Sequence, residues 1–464
     1  VVSKEEFGMK EYDVIVIGSG SGSSIVDQAL GNDMKVALVD KGPVGGTCLN
    51  VGCIPSKMLI FPADRIVEIE EAKKLGIEAE IKRVDFEAIM ERTRKYVSHE
   101  QAQIRESIRS VPGLDFYETT GRFVDDYTME VKGEKIKGKK IYIASGARPL
   151  IPPVKGIETI DYLTNENVFA LRNKPESLLV IGGGFIAAEF SHFFSAVGTK
   201  VTVLERQNRL VKEEEPEISE LLKKKMEQRM EIHTGTEAVE AEKIEEGCRM
   251  IAREKESGKR REFVAEKVLI ASGRMSNADL LDPEKTGVRT NEKNYIVVDD
   301  FLQTTKKNIW AFGDAIGKKM FRHAANREAD LVWHNSMHGG EEKIDFLTIP
   351  HAVFTYPPIA SVGMGEAEAK KLHEILVGKS VYSEVARGVA MREEECFAKA
   401  VIEKKTGRIL GFHIIGPYAS ILIQEVIDAM ATEGTVMPLI NGMHIHPALP
   451  EVIVDTLRTL REPE

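Results

Sequence analysis

The chain has 464 residues, 63 basic and 73 acidic side chains and a formal net charge of −10, a length that at about 150 residues per domain suggests roughly three domains. Its basic residues are scattered rather than gathered into a stripe, which excludes a nucleic-acid footprint, and 42% hydrophobic with 29% charged residues describes a folded globular protein rather than a disordered one. No apolar run reaches the ~18–20 residues that a membrane helix needs. The N-terminal VVSKEEFGMKEYDV carries charges where a secretory signal would place its apolar region, so a cytoplasmic protein without a membrane partner is expected. Residues 1–8 precede the first strand-like segment and are set aside as an extension.

In chain order, YDVIVIGSGSGSSIVDQAL predicts a buried strand, a glycine-rich turn and a helix, and VALVD a second strand. This is half of a dinucleotide-binding unit. Gly18, Gly20 and Gly22 let the backbone approach a pyrophosphate at a helix N-terminus, and Asp40, 22 residues after Gly18, is placed to accept hydrogen bonds from a ribose. The third glycine of the usual pattern is Ser23. Taken alone the fingerprint also fits an ordinary strand-turn-helix, but a second copy starts 164 residues later. There LLVIGGGFIAAEF, with Gly182, Gly183 and Gly184, leads to the strand VTVLE, and Ala187 stands at the third glycine position. Glu205 lies at the strand end, where a carboxylate binds a free 2′-hydroxyl and repels a 2′-phosphate, favouring NAD over NADP. Arg206 and Arg209 follow and could serve a 2′-phosphate, which keeps NADP as the alternative.

Between the first unit and its continuation stands GGTCLNVGCIPSK. Residues five apart in a regular helix have Cα atoms roughly 8–9 Å apart, beyond the ~7 Å limit of a disulfide. A bonded Cys48–Cys53 pair must therefore straddle an irregular turn, which Gly52 permits, with regular helix resuming from Pro55. Two buried apolar cysteines are the alternative. A short-loop disulfide would stabilise the fold little, so a redox role explains the pair better. Cys248 and Cys396 stand alone and are expected to be inert thiols. The segment from about 85 to 110 predicts a long amphipathic helix with His99 on its surface. Near the C-terminus HIHPALPEV offers two histidines and an acid. Thiol-disulfide exchange needs a thiolate, so His446 as base oriented by Glu451 would meet a chemical need, with His444 packing beside them. No metal-ligand spacing is present.

These motifs resemble those of the pyridine nucleotide-disulfide oxidoreductases over nearly the whole chain from about residue 11. GGTCLNVGCIPSK is the most specific, supported by IASGARP at 143–149, IASGRMSN at 270–277, IWAFGDAIG at 309–317, KKTGRILGFHIIGP at 404–417 and HIHPALPE at 444–451. Within that family the chain is most similar to dihydrolipoamide dehydrogenases. The resemblance implies an α/β fold with two Rossmann-like domains and a C-terminal α+β dimerisation domain: FAD-binding at 9–149 and 276–345, NAD(P)-binding at 150–275, and dimerisation at 346–464. It implies a homodimer whose active site is shared between subunits, FAD and NAD as cofactors, a small dithiol or disulfide as substrate and, for lipoamide enzymes, a 2-oxoacid dehydrogenase complex as partner.

Carried over by position, Cys48 would be the interchange thiol and Cys53 the flavin-facing thiolate of a redox disulfide. Lys57 would help hold FAD, with Glu189 as its charge partner, and Asp314 would bind the ribityl or pyrophosphate region. Gly121, Ala144, Ser145 and Gly146 look like contacts to FAD, and Gly273, with Gly182 and Gly184, like contacts to NAD. His446 occupies the base position and Glu451 that of its orienting acid. The reading this supports is oxidation of dihydrolipoamide by NAD. The tail VDTLRTLREPE lacks the cysteine pair of mercuric reductases and large thioredoxin reductases. Against the lipoamide reading, GSGSGSSIV and IHPALPEV, with Pro450 before the acid, look closer to mycothione reductases, and Pro358 in FTYPPIASVG stands where many relatives carry Glu. A mycothione-reductase-like or glutathione-reductase-like enzyme is therefore the alternative.

Overall fold

A computed structural model of the chain describes residues 9–463; residues 1–8, set aside above as an extension, lie outside the described residues. The chain forms two compact units. The first holds the described residues up to Pro55, Arg92–Leu150 and Arg274–Asp345; the second holds Ser56–Glu91, Ile151–Gly273 and the residues from Phe346 on.

In the first unit the strand Lys10–Ile17 is central. It pairs in parallel with Val36–Asp40 on one side and Glu134–Ile143 on the other, and Val36–Asp40 pairs in parallel with Leu114–Glu118. Val14, Ile15, Val16 and Ile17 are all buried, a continuous run rather than an alternation, because a parallel strand is covered on both faces. Glu134–Ile143 divides its pairing. Its first residues pair antiparallel with Thr128–Val131, and its last three pair in parallel with Ile309–Ala311. Across one face the helices Gly22–Leu30 and Arg322–His338 meet, Ser21 donating to Asn326 Oδ1 at 3.1 Å and Ser24 to Asp330 Oδ1 at 3.3 Å.

The second unit repeats this plan. Its parallel sheet runs Glu231–Thr234, Lys200–Glu205, Ser177–Ile181, Lys267–Ile270, Tyr162–Leu163, and an antiparallel three-stranded sheet of Thr236–Ile244, Gly247–Glu254 and Arg260–Ala265 is inserted before Lys267. From residue 346 the chain builds a five-stranded antiparallel sheet in the order His351–Val353, Ile359–Gly363, Ile409–Ile415, Phe397–Glu403, Ile375–Val381. The helices Ala419–Thr432 and Glu451–Arg458 join it in one core, where Phe412, Ile414, Val426, Val452 and Ile453 are completely buried. The α/β fold with two dinucleotide-type sheets and a C-terminal α+β part is thus the architecture present. Ser56–Glu91 groups with the second unit, through contacts such as Phe86 against Phe193 at 6.1 Å between ring centroids. The three-domain partition at 149/150, 275/276 and 345/346 remains a proposal.

The predicted long helix spans Phe86–Ser110, and Asp85 Oδ1 accepts the Ala88 amide at 3.0 Å to cap it. His99 is exposed on it. Cys248 and Cys396 are buried, and burial pushes both thiols above their ordinary range, which suits inert cysteines.

Candidate active site

The redox motif folds as two helices meeting at a break. Gly46–Asn50 is a short helix, Cys53–Glu71 a long one, and Val51 between them has an extended φ of −145°. A methyl on Gly52 would lie 2.8 Å from the Thr47 carbonyl oxygen and 3.2 Å from Cys48 Cα, so only glycine lets the second helix fold back this closely. Asn50 Nδ2 fixes the entry by donating to the carbonyls of Pro43, Val44 and Gly46 at 3.1, 2.9 and 2.8 Å. The irregular turn falls at Gly52 as expected, and regular helix resumes at Cys53, two residues before Pro55. Cys48 and Cys53 stand as thiols, not as the expected disulfide. Cys48 is partly buried and its pKa is lowered to about 6: a hydrogen bond from the Cys53 thiol acts most, burial opposes it, and the charge of Arg322 and the amides of Cys53 and Ile54 add to the lowering. Those amides are the open N-terminus of the long helix, where a thiolate is favoured.

Around this turn the first unit brings three backbone segments together. Gly18 has φ +104°, and a methyl there would stand 2.3 Å from the Ala144 carbonyl oxygen; a methyl on Gly46 would stand 2.6 Å from Gly20 Cα; one on Gly22 would meet Val16 Cγ1 at 2.8 Å. Asp40 accepts the amides of Ser19 at 2.5 Å and Gly42 at 2.7 Å. Gly121 sits between Val39 and Met129, each under 3 Å from where its Cβ would be. Gly146 has φ +68°, its carbonyl accepts the Asn277 amide at 3.1 Å, and the buried Ser145 Oγ has no hydrogen-bond partner. Asp314, raised by burial and opposed by the nearby Arg274 charge, lies 3.4 Å from Arg274 Nε. A side-chain-free cradle, an orphaned buried hydroxyl and two carboxylates fit a dinucleotide with a polyhydroxyl chain such as FAD.

The second unit repeats that cradle. Gly182 has φ +120°, and a methyl on it would stand 2.3 Å from the Ala271 carbonyl oxygen. Gly184 has nothing within 4 Å of its Cβ position, and the helix Phe185–Ala196 begins directly after it without a side-chain cap. Gly273, at φ +132°, is the counterpart of Gly146. Glu205 is buried and packs on Gly183, accepts the Gln207 amide at 2.5 Å, and is raised by burial. These features fit a second dinucleotide whose ribose reaches Glu205.

Also in the second unit, Lys57 Nζ lies 2.6 Å from Glu189 and 4.6 Å from the centre of the Phe354 ring, and the Phe354 amide donates to Glu189 at 3.1 Å. His446 Nδ1 lies 2.8 Å from Glu451 Oε1, while the Ala448 amide donates to the other Glu451 oxygen at 3.0 Å. That amide, then His446, holds Glu451 below the usual carboxylate range. The His446 side chain is 73% exposed, with its second ring nitrogen available to a substrate. His444 instead pairs with Glu425 at 3.1 Å.

Two residues escaped sequence reasoning. Arg322 acts on Cys48, and Glu328, completely buried, accepts the Gly313 amide at 2.6 Å and so holds the turn that carries Asp314. Burial pushes Glu328 up to about 7. Its signal was present: Ala324, Ala325, Glu328 and Ala329 share the helical spacing of an inward face.

Comparison with known proteins agrees with this geometry. Residues 12–329 match the family model described as pyridine nucleotide-disulphide oxidoreductase, and residues 349–457 that of its dimerisation domain. Mycothione reductase of Mycobacterium tuberculosis is 36% identical over 98% of this chain and all of that protein. Dihydrolipoyl dehydrogenase of Synechocystis is 32% identical over 96% of this chain and 97% of that protein. Among solved structures, the Cu(II) complex of the HOCl-induced flavoprotein disulfide reductase RclA from Escherichia coli matches with a TM-score of 0.85 and 26% identity, over 97% of this chain and 99% of that one. With two cysteines at a helix break, two glycine cradles and a dimerisation fold, the chain belongs to the pyridine nucleotide-disulphide oxidoreductases, whose members use FAD and NAD(P)H.

Proposed function

We propose that this protein exchanges electrons between a small dithiol or disulfide and NAD through Cys48 and Cys53, with dihydrolipoamide as the donor. The observation that carries the thiol chemistry is the meeting of Cys48 and Cys53 across the break at Val51 and Gly52, at the open N-terminus of the long helix, a setting that lowers the Cys48 pKa. A thiol so placed is mostly thiolate at neutral pH, and a poor thiol becomes a competent nucleophile and leaving group. The choice of NAD rests on Glu205 at the end of its strand, whose carboxylate would repel a 2′-phosphate.

In the oxidised protein Cys48 and Cys53 would share a disulfide. His446 of the partner subunit, oriented by Glu451, takes the proton from one substrate thiol. That sulfur attacks Cys48 Sγ, the Cys48–Cys53 bond breaks, and Cys53 leaves as a thiolate. The second substrate thiol then attacks the sulfur held on Cys48, closing the product disulfide and returning Cys48 as a thiol. Bound FAD supplies a two-electron acceptor between the Cys53 side and the nicotinamide. Gly18, Gly20, Gly22, Asp40, Gly121, Ala144, Ser145, Gly146 and Asp314 would hold it, with Lys57, fixed by Glu189, supplying a positive charge. Gly182, Gly184, Gly273 and Glu205 would hold NAD.

A second reading has its own support: run from NAD(P)H, the same parts reduce a small disulfide of the mycothione type. The mycothione reductase relative aligns over its whole length, and GSGSGSSIV and IHPALPEV lean the same way. Anaerobic turnover of dihydrolipoamide with NAD, paired with NADP, tests the two. Fast turnover with NAD and little with NADP supports the lipoamide reading. Negligible turnover with both, in protein whose flavin NADH still reduces, rejects it in favour of another small disulfide.

A further inference from the structure

The helices Gly22–Leu30 and Arg322–His338 run in register in the first unit, the Ser21–Asn326 bond being followed one turn later by Ser24–Asp330. Both steps advance along the two chains in the same direction, so the helices are parallel and their N-termini lie together. One turn before Asn326 stands Arg322. The matching position on the other segment is the glycine loop itself. The contact is direct: Arg322 Nη1 lies 3.9 Å from the place a Cβ on Gly20 would take, and Gly20 in turn meets Gly46, two residues before Cys48.

Two other arginines of the first unit have carboxylate partners. Arg148 Nη2 lies 2.7 Å from Asp279, and Arg274 Nε lies 3.4 Å from Asp314. Arg322 is half-buried, yet among the described residues it forms no ion pair and no side-chain hydrogen bond. A partly desolvated guanidinium with no carboxylate partner, beside a loop of bare backbone amides, is the arrangement that takes a phosphate.

We propose that Arg322 binds the pyrophosphate of the dinucleotide held by the first unit, adding a side-chain cation to the glycine loop. This rests on the reading of Gly18–Gly22 as the FAD loop. The same guanidinium lowers the Cys48 pKa, so one charge serves two anions, and a phosphate beside it weakens its pull on the thiolate. Cofactor occupancy and Cys48 reactivity are therefore coupled through Arg322. Loss of the dinucleotide makes Cys48 the more acidic thiol.

The test compares the holoprotein with Arg322→Met and Arg322→Lys. FAD release is followed by flavin fluorescence, and binding of ADP and of riboflavin is measured on protein stripped of FAD. Cys48 alkylation against pH is read peptide by peptide. In Arg322→Met, FAD and ADP should bind about tenfold or more weakly, as expected for a lost charge-assisted contact. Riboflavin, which lacks phosphate, should bind unchanged, and the Cys48 alkylation midpoint should move up in stripped protein more than in loaded protein. Arg322→Lys keeps the charge and should recover most of both effects, which also guards against misfolding of the first variant. Unchanged FAD and ADP affinity, or equal weakening of riboflavin, would overturn the proposal. Wild-type protein that binds neither FAD nor ADP would instead overturn the reading of the loop on which it rests.

Discussion

The two dinucleotide units are built on one plan and diverge at one place. In both, a central parallel strand ends in a glycine with positive φ whose missing Cβ makes room for an alanine carbonyl, Ala144 for Gly18 and Ala271 for Gly182, each 2.3 Å from where the methyl would be. In both, the second strand ends in a carboxylate that turns back to accept a backbone amide, Asp40 from Ser19 and Glu205 from Gln207. The segments after that carboxylate differ. From Asp40 to the third strand at Leu114 the chain inserts the helices Gly46–Asn50, Cys53–Glu71 and Phe86–Ser110, whereas from Glu205 to Glu231 it inserts only Pro216–Met226. Cys48 and Cys53 sit in the longer insertion. One plan thus carries a cysteine pair at the edge of the first unit and none at the matching place in the second.

This difference can be broken most sharply at the cysteine. Cys48→Ser should lower dithiol or disulfide turnover by about a thousandfold or more, since the sulfur that exchanges with substrate is removed, while NADH still reduces the bound flavin; stopped-flow absorbance separates the two. Retained turnover would sink the cysteine assignment. Next come the paired glycines. Each substitution forces a side chain into positive φ, costing on the order of 1–3 kcal/mol, and into a carbonyl. Gly18→Ala should strip FAD from the purified protein, read from the ratio of flavin to protein absorbance. Gly182→Ala should keep FAD and lose reduction by NADH. The same loss in both variants would mean that the two cradles do not serve different dinucleotides.

A smaller effect is expected at Glu205. Glu205→Ala should shift the ratio of kcat/KM for NAD over NADP about tenfold towards NADP, by removing the carboxylate that excludes a 2′-phosphate. The smallest concerns Glu328. Its folded pKa of about 7 lies above the ~4.3 of an unfolded glutamate. The native state therefore holds its proton more tightly, and stability is fully present below the unfolded pKa and falls as pH rises through 7. Glu328→Gln removes that fall. Its thermal midpoint relative to wild type should rise from pH 5 to about pH 7 and level off above that, and a pH-independent difference would show that Glu328 is ionised throughout.

Much of this was readable along the chain because it is local. The glycine loops, the carboxylate some 22 residues on, the break at Gly52 between two cysteines and the His446–Glu451 spacing all depend on neighbours in sequence. His446 and Glu451 are five apart, and the turn at Pro447 lets one oxygen reach the ring and the other the Ala448 amide. What stayed hidden acts across long separations. Ser56–Glu91 follows the redox turn without interruption, yet it packs with the second unit, where Asp64 meets His192 at 2.9 Å. No local pattern announces that. The acidity of Cys48 also lay beyond composition, since it depends on which amides and charges face one sulfur.

By itself the sequence determined the two dinucleotide-type folds, the dimerisation fold and the placing of the cysteine pair, the His446–Glu451 pair and the strand-end carboxylates, because periodicity, glycine conformation and short spacing are properties of neighbouring residues. The tertiary structure alone decided which distant groups share an environment. It set Arg322, some 270 residues away in the chain, to act on Cys48, and buried Glu328 beneath the Asp314 turn. Electrostatic effects depend on distance and burial in space, and neither is written in the order of residues.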